Sequence, residues 1–253
     1  MISVIIPYCG DDELRRGAFK ALLDVLNHQD FLNEIEIVIV TQHCGSQYQS
    51  GHYCVGNTHH VNIHKAGSFN KAWCINVGVR LAKGQTIIVM DADTICGQDY
   101  IRYINYYFNK VYIEENTALF AMGWQYLICL PGRDNPYARA ITPGFTQACG
   151  GVFVFDKLFF INEVGMMNES YEGYGGEDND LFYRVKAILG RDPNNIPYAL
   201  AHAYHHWSVL SDHARMSDIV RLYPQEVTTR LKEKELGNMG GPVKIEMLDI
   251  GVE

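Results

Sequence analysis

The sequence predicts a single α/β domain: a mixed, mostly parallel central sheet flanked by helices. Three observations carry that expectation. Short β-rich apolar runs close at Pro7, Thr41 and Met90; amphipathic helical patterns lie between them; and the third run delivers two carboxylates, Asp91 and Asp93, to one point. Strands alternating with helices favour a parallel sheet, and ligands of open parallel sheets bind beyond the carboxyl ends of the strands.

The first strand is read at Ile2 to Pro7 (ISVIIP) and the second at Glu34 to Thr41 (EIEIVIVT). Between them Leu14, Ala18, Leu22 and Val25 recur at helical spacing, and Asp11 or Asp12 is placed to cap the start. Ser68 to Ala82 has the same periodicity, Gly84 suits its C-terminal stop, and Thr86 to Met90 is the next strand. The second half is less regular. One or two strands are expected between Ala118 and Leu130, followed by a Gly/Pro-rich loop from Pro131 to Gly144 that is a candidate lid. Gly150-Gly151 leads into the strand VFVF, and a helix is expected around Lys157 to Glu163. Glu177 to Leu189 then reads as a helix with Leu181, Phe182, Val185 and Leu189 on one face, and Ile196 to Tyr204 as a late strand. Beyond Tyr223 the chain is charged and then glycine-rich, an arm, a partner contact or a loose tail.

With 253 residues, 47% of them apolar, the chain can bury a sizeable core. A net charge of −8 without any basic block argues against nucleic acid, because binding a phosphate backbone needs a basic face. An anionic substrate here needs a cation. No stretch approaches the roughly 20 apolar residues that span a bilayer, so the chain reads as soluble, with peripheral membrane association left open. The seven cysteines are scattered and never spaced as CxxC, which reads as thiols in a reducing cytoplasm.

Asp91-Ala92-Asp93 at a strand end can hold a divalent cation and leave coordination positions for phosphate oxygens; the plain alternative is a turn. His202, His205, His206 and His213 supply further imidazoles, of which His205 follows most closely on the late strand, whereas His59, His60 and His64 read as surface residues. In GYGGEDND, Gly173 to Asp180, the glycines permit sharp backbone turns. Glu177 and Asp178 fall in the first turn of a helix, where the dipole favours an ionised carboxylate. Such a group can take the proton of an acceptor hydroxyl, or can merely cap the helix.

Together these segments resemble a GT-A-fold (Rossmann-like) glycosyltransferase, and most closely the catalytic domain of the beta-1,4-galactosyltransferases and related bacterial chondroitin-type polymerases. SVIIPYCG, IVIVTQ, FNKAWCINVG, DAD, GGVFVF, GYGGEDND and AYHH match that family in order, over roughly residues 2 to 207. The resemblance implies a domain over 1–223, with a nucleotide-binding half to residue 95 and an acceptor half from 96, followed by a tail over 224–253. It implies Mn²⁺, or Mg²⁺, held by Asp93 and His205, with His202 and Asp91 as further candidate ligands. Asp178 becomes the catalytic base of an inverting displacement, and Glu177 holds the donor sugar. Pro7, Tyr8, Phe69, Lys71, Asp91, Ala92, Asp93, Gly150, Gly151 and Tyr174 become nucleotide or sugar contacts.

The departures from the family also inform. Tyr174 stands for a tryptophan, Cys9 and Asp11 for arginines, and Asn179 for an aspartate. Ala148 stands where the galactosyltransferases carry a tyrosine that crowds the sugar 2-position, so an N-acetyl group has room. The implied reaction moves galactose or N-acetylgalactosamine from a UDP-sugar to a hydroxyl of a glycan acceptor. The implied setting is bacterial cytoplasm, with a trimmed Golgi-type domain as the other placement. Three alternatives stand beside it: a retaining UDP-GalNAc-type transferase, whose GGE block usually continues with asparagine; a haloacid-dehalogenase-like phosphatase, suggested by VMDADTI but departing at Ile95; and a non-catalytic glycan-binding protein.

Overall fold

A computed structural model describes residues 1–9, 13–30, 34–43, 57–64, 67–108, 119–131, 139–141, 150–173, 175–203, 223–234, 236–237 and 244–249. The central sheet has eight strands. Four of them, β1 (Ile2–Tyr8), β2 (Ile35–Gln42), β3 (Asn57–His64) and β4 (Thr86–Met90), run parallel side by side in the order β4-β1-β2-β3. On one flank β9 (Val152–Asp156) runs antiparallel to both β4 and β6 (Phe120–Met122), and β10 (Asn194–Asn195) closes that edge parallel to β6. On the other flank β12 (Lys244–Asp249) runs antiparallel to β3. The predicted mixed, mostly parallel sheet is borne out, with β1, β2 and β4 buried along their whole length as strands covered on both faces must be.

Helix α1 (Glu13–Leu26) covers the sheet with Ala18, Phe19, Leu22, Leu23 and Leu26. Helix α2 (Lys71–Leu81) is buried from Ala72 to Val79, and Asn70 caps it by accepting from the Trp73 amide at 2.9 Å. The DAD turn leaves the edge of β4 and opens a second, four-stranded sheet. Its order is β5 (Thr94–Ile95), β11 (Ala199–His202), β7 (Tyr126–Cys129) and β8 (Arg139–Ile141). Helix α3 (Tyr100–Asn105) follows β5, helix α4 (Lys157–Phe159) runs into a π-helical turn at Phe160–Val164, and α5 (Glu177–Leu189) and α6 (Pro224–Lys232) complete the helices.

β3 is the longest strand of the parallel set that sequence patterning missed. NTHHVNIH looks polar, yet Thr58, His60, Val61, Asn62 and Ile63 are all buried. His60 is therefore not a surface residue. His59 is half-buried and reaches the Glu36 carboxylate at 3.3 Å; of the three, only His64 is exposed. Glu36, fully buried, also accepts on Oε2 from Ser3 Oγ at 2.5 Å and from the Lys83 amide at 2.8 Å, which offsets part of the cost of burying a polar group. The described parts of the segment after Tyr223 are built into the fold: α6 packs against α5 and the π-turn, β12 adds a strand to the sheet edge, and the Gly237 amide donates to Glu169 Oε1 at 2.6 Å. Within the Pro131–Gly144 loop, β8 is a strand that patterning did not reveal; residues 132–138 and 142–149 lie outside the described residues.

Candidate active site

The site forms where β1, β4 and the N-termini of α2 and α5 converge. β1 pairs with β4 only as far as Ile5, so Ile6, Pro7 and Tyr8 run on beyond it, and the missing N–H of Pro7 interrupts no ladder on that side. Tyr8 is 1% exposed and stacks on Phe19 with centroids 4.0 Å apart, so its ring belongs to the core beneath the site. After Met90 the chain turns, with the Thr94 amide donating to the Asp91 carbonyl at 3.0 Å. The Asp91 amide donates to the Gly151 carbonyl at 2.9 Å, which ties the DAD turn to the glycine pair.

Lys71, the first residue of α2, is the hub. Its Nζ lies 2.8 Å from Asp91 Oδ1, 3.0 Å from Asp178 Oδ2 and 3.6 Å from Glu177 Oε1. Burial works against the ammonium charge, but Asp178, Asp91 and Glu177 together outweigh it and hold the Lys71 pKa well above its ordinary value. Burial also drives the Asp178 carboxyl up, to about 8; Lys71 pulls the other way, while Glu177 and Asp91 add to the rise. With the Lys71 ammonium beside it, a group poised there can serve as a general base near neutral pH.

The GGED loop reaches this arrangement through glycine. Gly173, Gly175 and Gly176 have φ of +85°, +92° and +96°, a region that side-chain-bearing residues avoid, and Gly176 hands the chain into α5. The Gly173 amide donates to the Phe69 carbonyl at 2.8 Å, so the loop is anchored beside Lys71. Gly150 completes the fit: a β-carbon there would collide with the Asp178 carboxylate. The last acid of GYGGEDND has a different task. Asp180 and Arg184 are both fully buried; Arg184 Nε donates to Asp180 Oδ1 at 2.6 Å, Nη1 to the Val164 carbonyl at 2.6 Å and Nη2 to the Met166 carbonyl at 2.9 Å. Asp180 and Arg184 thus fasten α5, and with it Asp178, to the loop after the π-turn.

The candidate metal ligands approach each other across the small sheet. His202 pairs with Thr94 in the β11–β5 ladder, and the Ala203 amide donates to the Asp93 carbonyl at 2.8 Å. This registers His202 Nε2 3.3 Å from Asp93 Oδ1, both side chains being largely buried. A carboxylate oxygen and a neutral imidazole suit a first-row divalent cation such as Mn²⁺, so this pair fits a metal. Among the described residues no group of three metal-binding side chains gathers, and His205, the other ligand the sequence suggests, lies outside them. Ala148 and Tyr174 also lie outside the described residues. Of the remaining predicted residues, Lys71, Asp91, Glu177, Asp178 and Gly150 come together, and Asp93 pairs with His202; Phe69 and Ala92 are half-buried against the core.

Sequence reasoning missed Trp124, which is fully buried and donates from its indole Nε1 to the Gly150 carbonyl at 3.1 Å. Its only signal is a tryptophan after Gly123 between two short strands.

Residues 140–206 match a family model described as the N-terminal domain of galactosyltransferase. No curated protein matches the chain. Among solved structures, TarS 1–349 of S. aureus in complex with UDP-GlcNAc superposes with a TM-score of 0.61 at 14% identity, covering 91% of this chain and 70% of that one. TarS 1–349 without that ligand gives 0.55 at 15% identity, with 80% of this chain and 60% of that chain covered. A longer TarS structure gives 0.53 at 16% identity, and there the chain spans 36% of the length of its neighbour. In fold the chain is similar to these S. aureus structures, and its segment with the glycine pair and the GGED block is the part that matches the galactosyltransferase family model.

Proposed function

We propose that this protein is a metal-dependent, inverting glycosyltransferase that moves galactose or N-acetylgalactosamine from a UDP-sugar to a hydroxyl of a glycan acceptor. The observation that carries the reading is the meeting of Asp178, Glu177 and Asp91 on the Lys71 ammonium at the carboxyl edge of the parallel strands. Lys71 receives the diphosphate, its ammonium standing beside the DAD turn. Asp178 takes the proton of the acceptor hydroxyl, and Glu177 orients the donor sugar. Asp93 and His202, joined by His205, hold the cation, with Asp91 as a further candidate ligand; the cation supplies charge neutralisation to the leaving diphosphate.

Phe69, Pro7 and Ala92 border the nucleotide. Ala148 leaves space at the sugar 2-position, and the S. aureus neighbour solved with an N-acetylated donor is consistent with that preference. An unchanged ratio of the two donor activities in Ala148→Tyr would remove that support. No helix among the described residues is long and apolar enough to cross a membrane. The seven cysteines are scattered and never spaced as CxxC, which suits a reducing compartment, so a cytoplasmic setting belongs to the same proposal.

The test is UDP release from a panel of UDP-sugars, in Mn²⁺ or in EDTA, with Asp93→Ala as control, because slow donor hydrolysis requires no known acceptor. Metal-dependent release from one or two donors, lost in the variant, is expected. Silence across the panel together with absent UDP binding contradicts the proposal.

A further inference from the structure

We infer that Trp124 is the positioning residue for the base, acting on Asp178 through the backbone of Gly150. The inference rests on the reading of Asp178 as the base and extends it to a residue that touches no substrate. Three observations meet here. The Trp124 indole N–H holds the Gly150 carbonyl at 3.1 Å. Gly150 lies so close to the Asp178 carboxylate that a single β-carbon would displace it. Trp124 is itself immobilised: it is fully buried, the preceding Gly123 amide donates to the Val152 carbonyl at 2.9 Å, and the Tyr100 hydroxyl donates to the Gly123 carbonyl at 2.6 Å.

The indole therefore sets where the Gly150 α-carbon stands, and that carbon is the wall against which the carboxylate rests. The ring packs on the next residue as well: a β-carbon on Gly151, whose φ is +100°, would lie 3.3 Å from Trp124 Nε1. The Asp91 amide also holds the Gly151 carbonyl, but Asp91 has further support that does not pass through the indole: β4 pairs with both β1 and β9, and the Thr94 amide holds the Asp91 carbonyl. Loss of the indole N–H should consequently loosen the base and leave the donor contacts in place. A misplacement on the order of 1 Å can cost about a hundredfold in rate.

The experiment compares wild type, Trp124→Phe, Gly150→Ala and Asp178→Asn in the full chain. It measures kcat for transfer and, without turnover, the Kd for UDP. Trp124→Phe is expected to lower kcat roughly tenfold to a hundredfold while the UDP Kd stays within about twofold. A purely structural role would instead weaken UDP binding and turnover together, or change neither, and either outcome overturns the inference. If Trp124→Phe does not fold, Gly150→Ala decides: a kcat equal to wild type shows that the position of Gly150 does not govern the base. Full activity in Asp178→Asn would overturn the base assignment itself, whereas an inactive Asp178→Asn beside a normal Trp124→Phe would overturn only the role of Trp124.

Discussion

The Asp178 carboxylate occupies the space that a β-carbon on Gly150 would require, so the candidate base and the glycine pair form one packing unit. The GGVFVF and GYGGEDND segments, separated by 17 residues of chain, are bound by this contact. It explains why glycine is needed at a position whose backbone is otherwise ordinary. Gly150→Ala should fold, because its φ lies outside the left-handed region, yet should lower turnover by about tenfold or more by pushing Asp178 aside. Thermal unfolding and kcat measured on the same preparation check both halves of that statement.

Lys71 is expected to govern donor affinity. Lys71→Met removes an ammonium that meets three carboxylates and leaves their mutual repulsion unrelieved. The KM for the UDP-sugar should rise about tenfold or more, and Lys71→Arg should recover part of the loss by restoring charge without the same compact geometry. Isothermal titration with UDP is the check; equal affinity in wild type and Lys71→Met would contradict the assigned role.

The pH dependence follows from the direction of the Asp178 shift. A base works only when ionised, and burial has pushed this carboxyl up to about 8, so the active form is gained as pH rises through that region and lost below it. Turnover should therefore climb with pH on the acid limb. Cation binding beside Asp93 should move that limb to lower pH, because a nearby positive charge favours the ionised carboxylate. Rate profiles at low and saturating Mn²⁺ test this, and a limb that moves upward with metal would contradict it.

Asp180 and Arg184 should matter for stability. Both are fully buried, and removing either partner strands a charge, a loss of about 3–5 kcal/mol. Urea unfolding of Arg184→Met should show the larger effect, since the Val164 and Met166 carbonyls lose their donors too. A midpoint close to wild type would show that the pair does not fasten α5.

Much of this was legible in the chain. The runs at β1, β2 and β4 are mostly apolar because those strands are covered on both faces, and α5 spans the predicted Glu177–Leu189 because glycine brackets it at both ends. DAD, FNKAW and GGED announced the residues that converge on Lys71. β3 stayed hidden because five of its eight residues are His or Asn, including buried His60 and Asn62. β5, β10 and β8 stayed hidden because strands of two or three residues leave no periodicity. The separate duties of Asp178 and Asp180 could not be read either, since helical phase alone does not say which acid faces the site and which meets Arg184. Trp124 was invisible because its importance lies in one hydrogen bond to a residue 26 positions away.

The most direct test of the account is Asp178→Asn, measured for sugar transfer and for UDP-sugar binding side by side. Asparagine keeps the shape against Gly150 but cannot take a proton. The account predicts a fall in turnover of roughly 10² or more with donor affinity preserved. Retained turnover, or donor binding lost in step with activity, would contradict it and return Asp178 to a structural role.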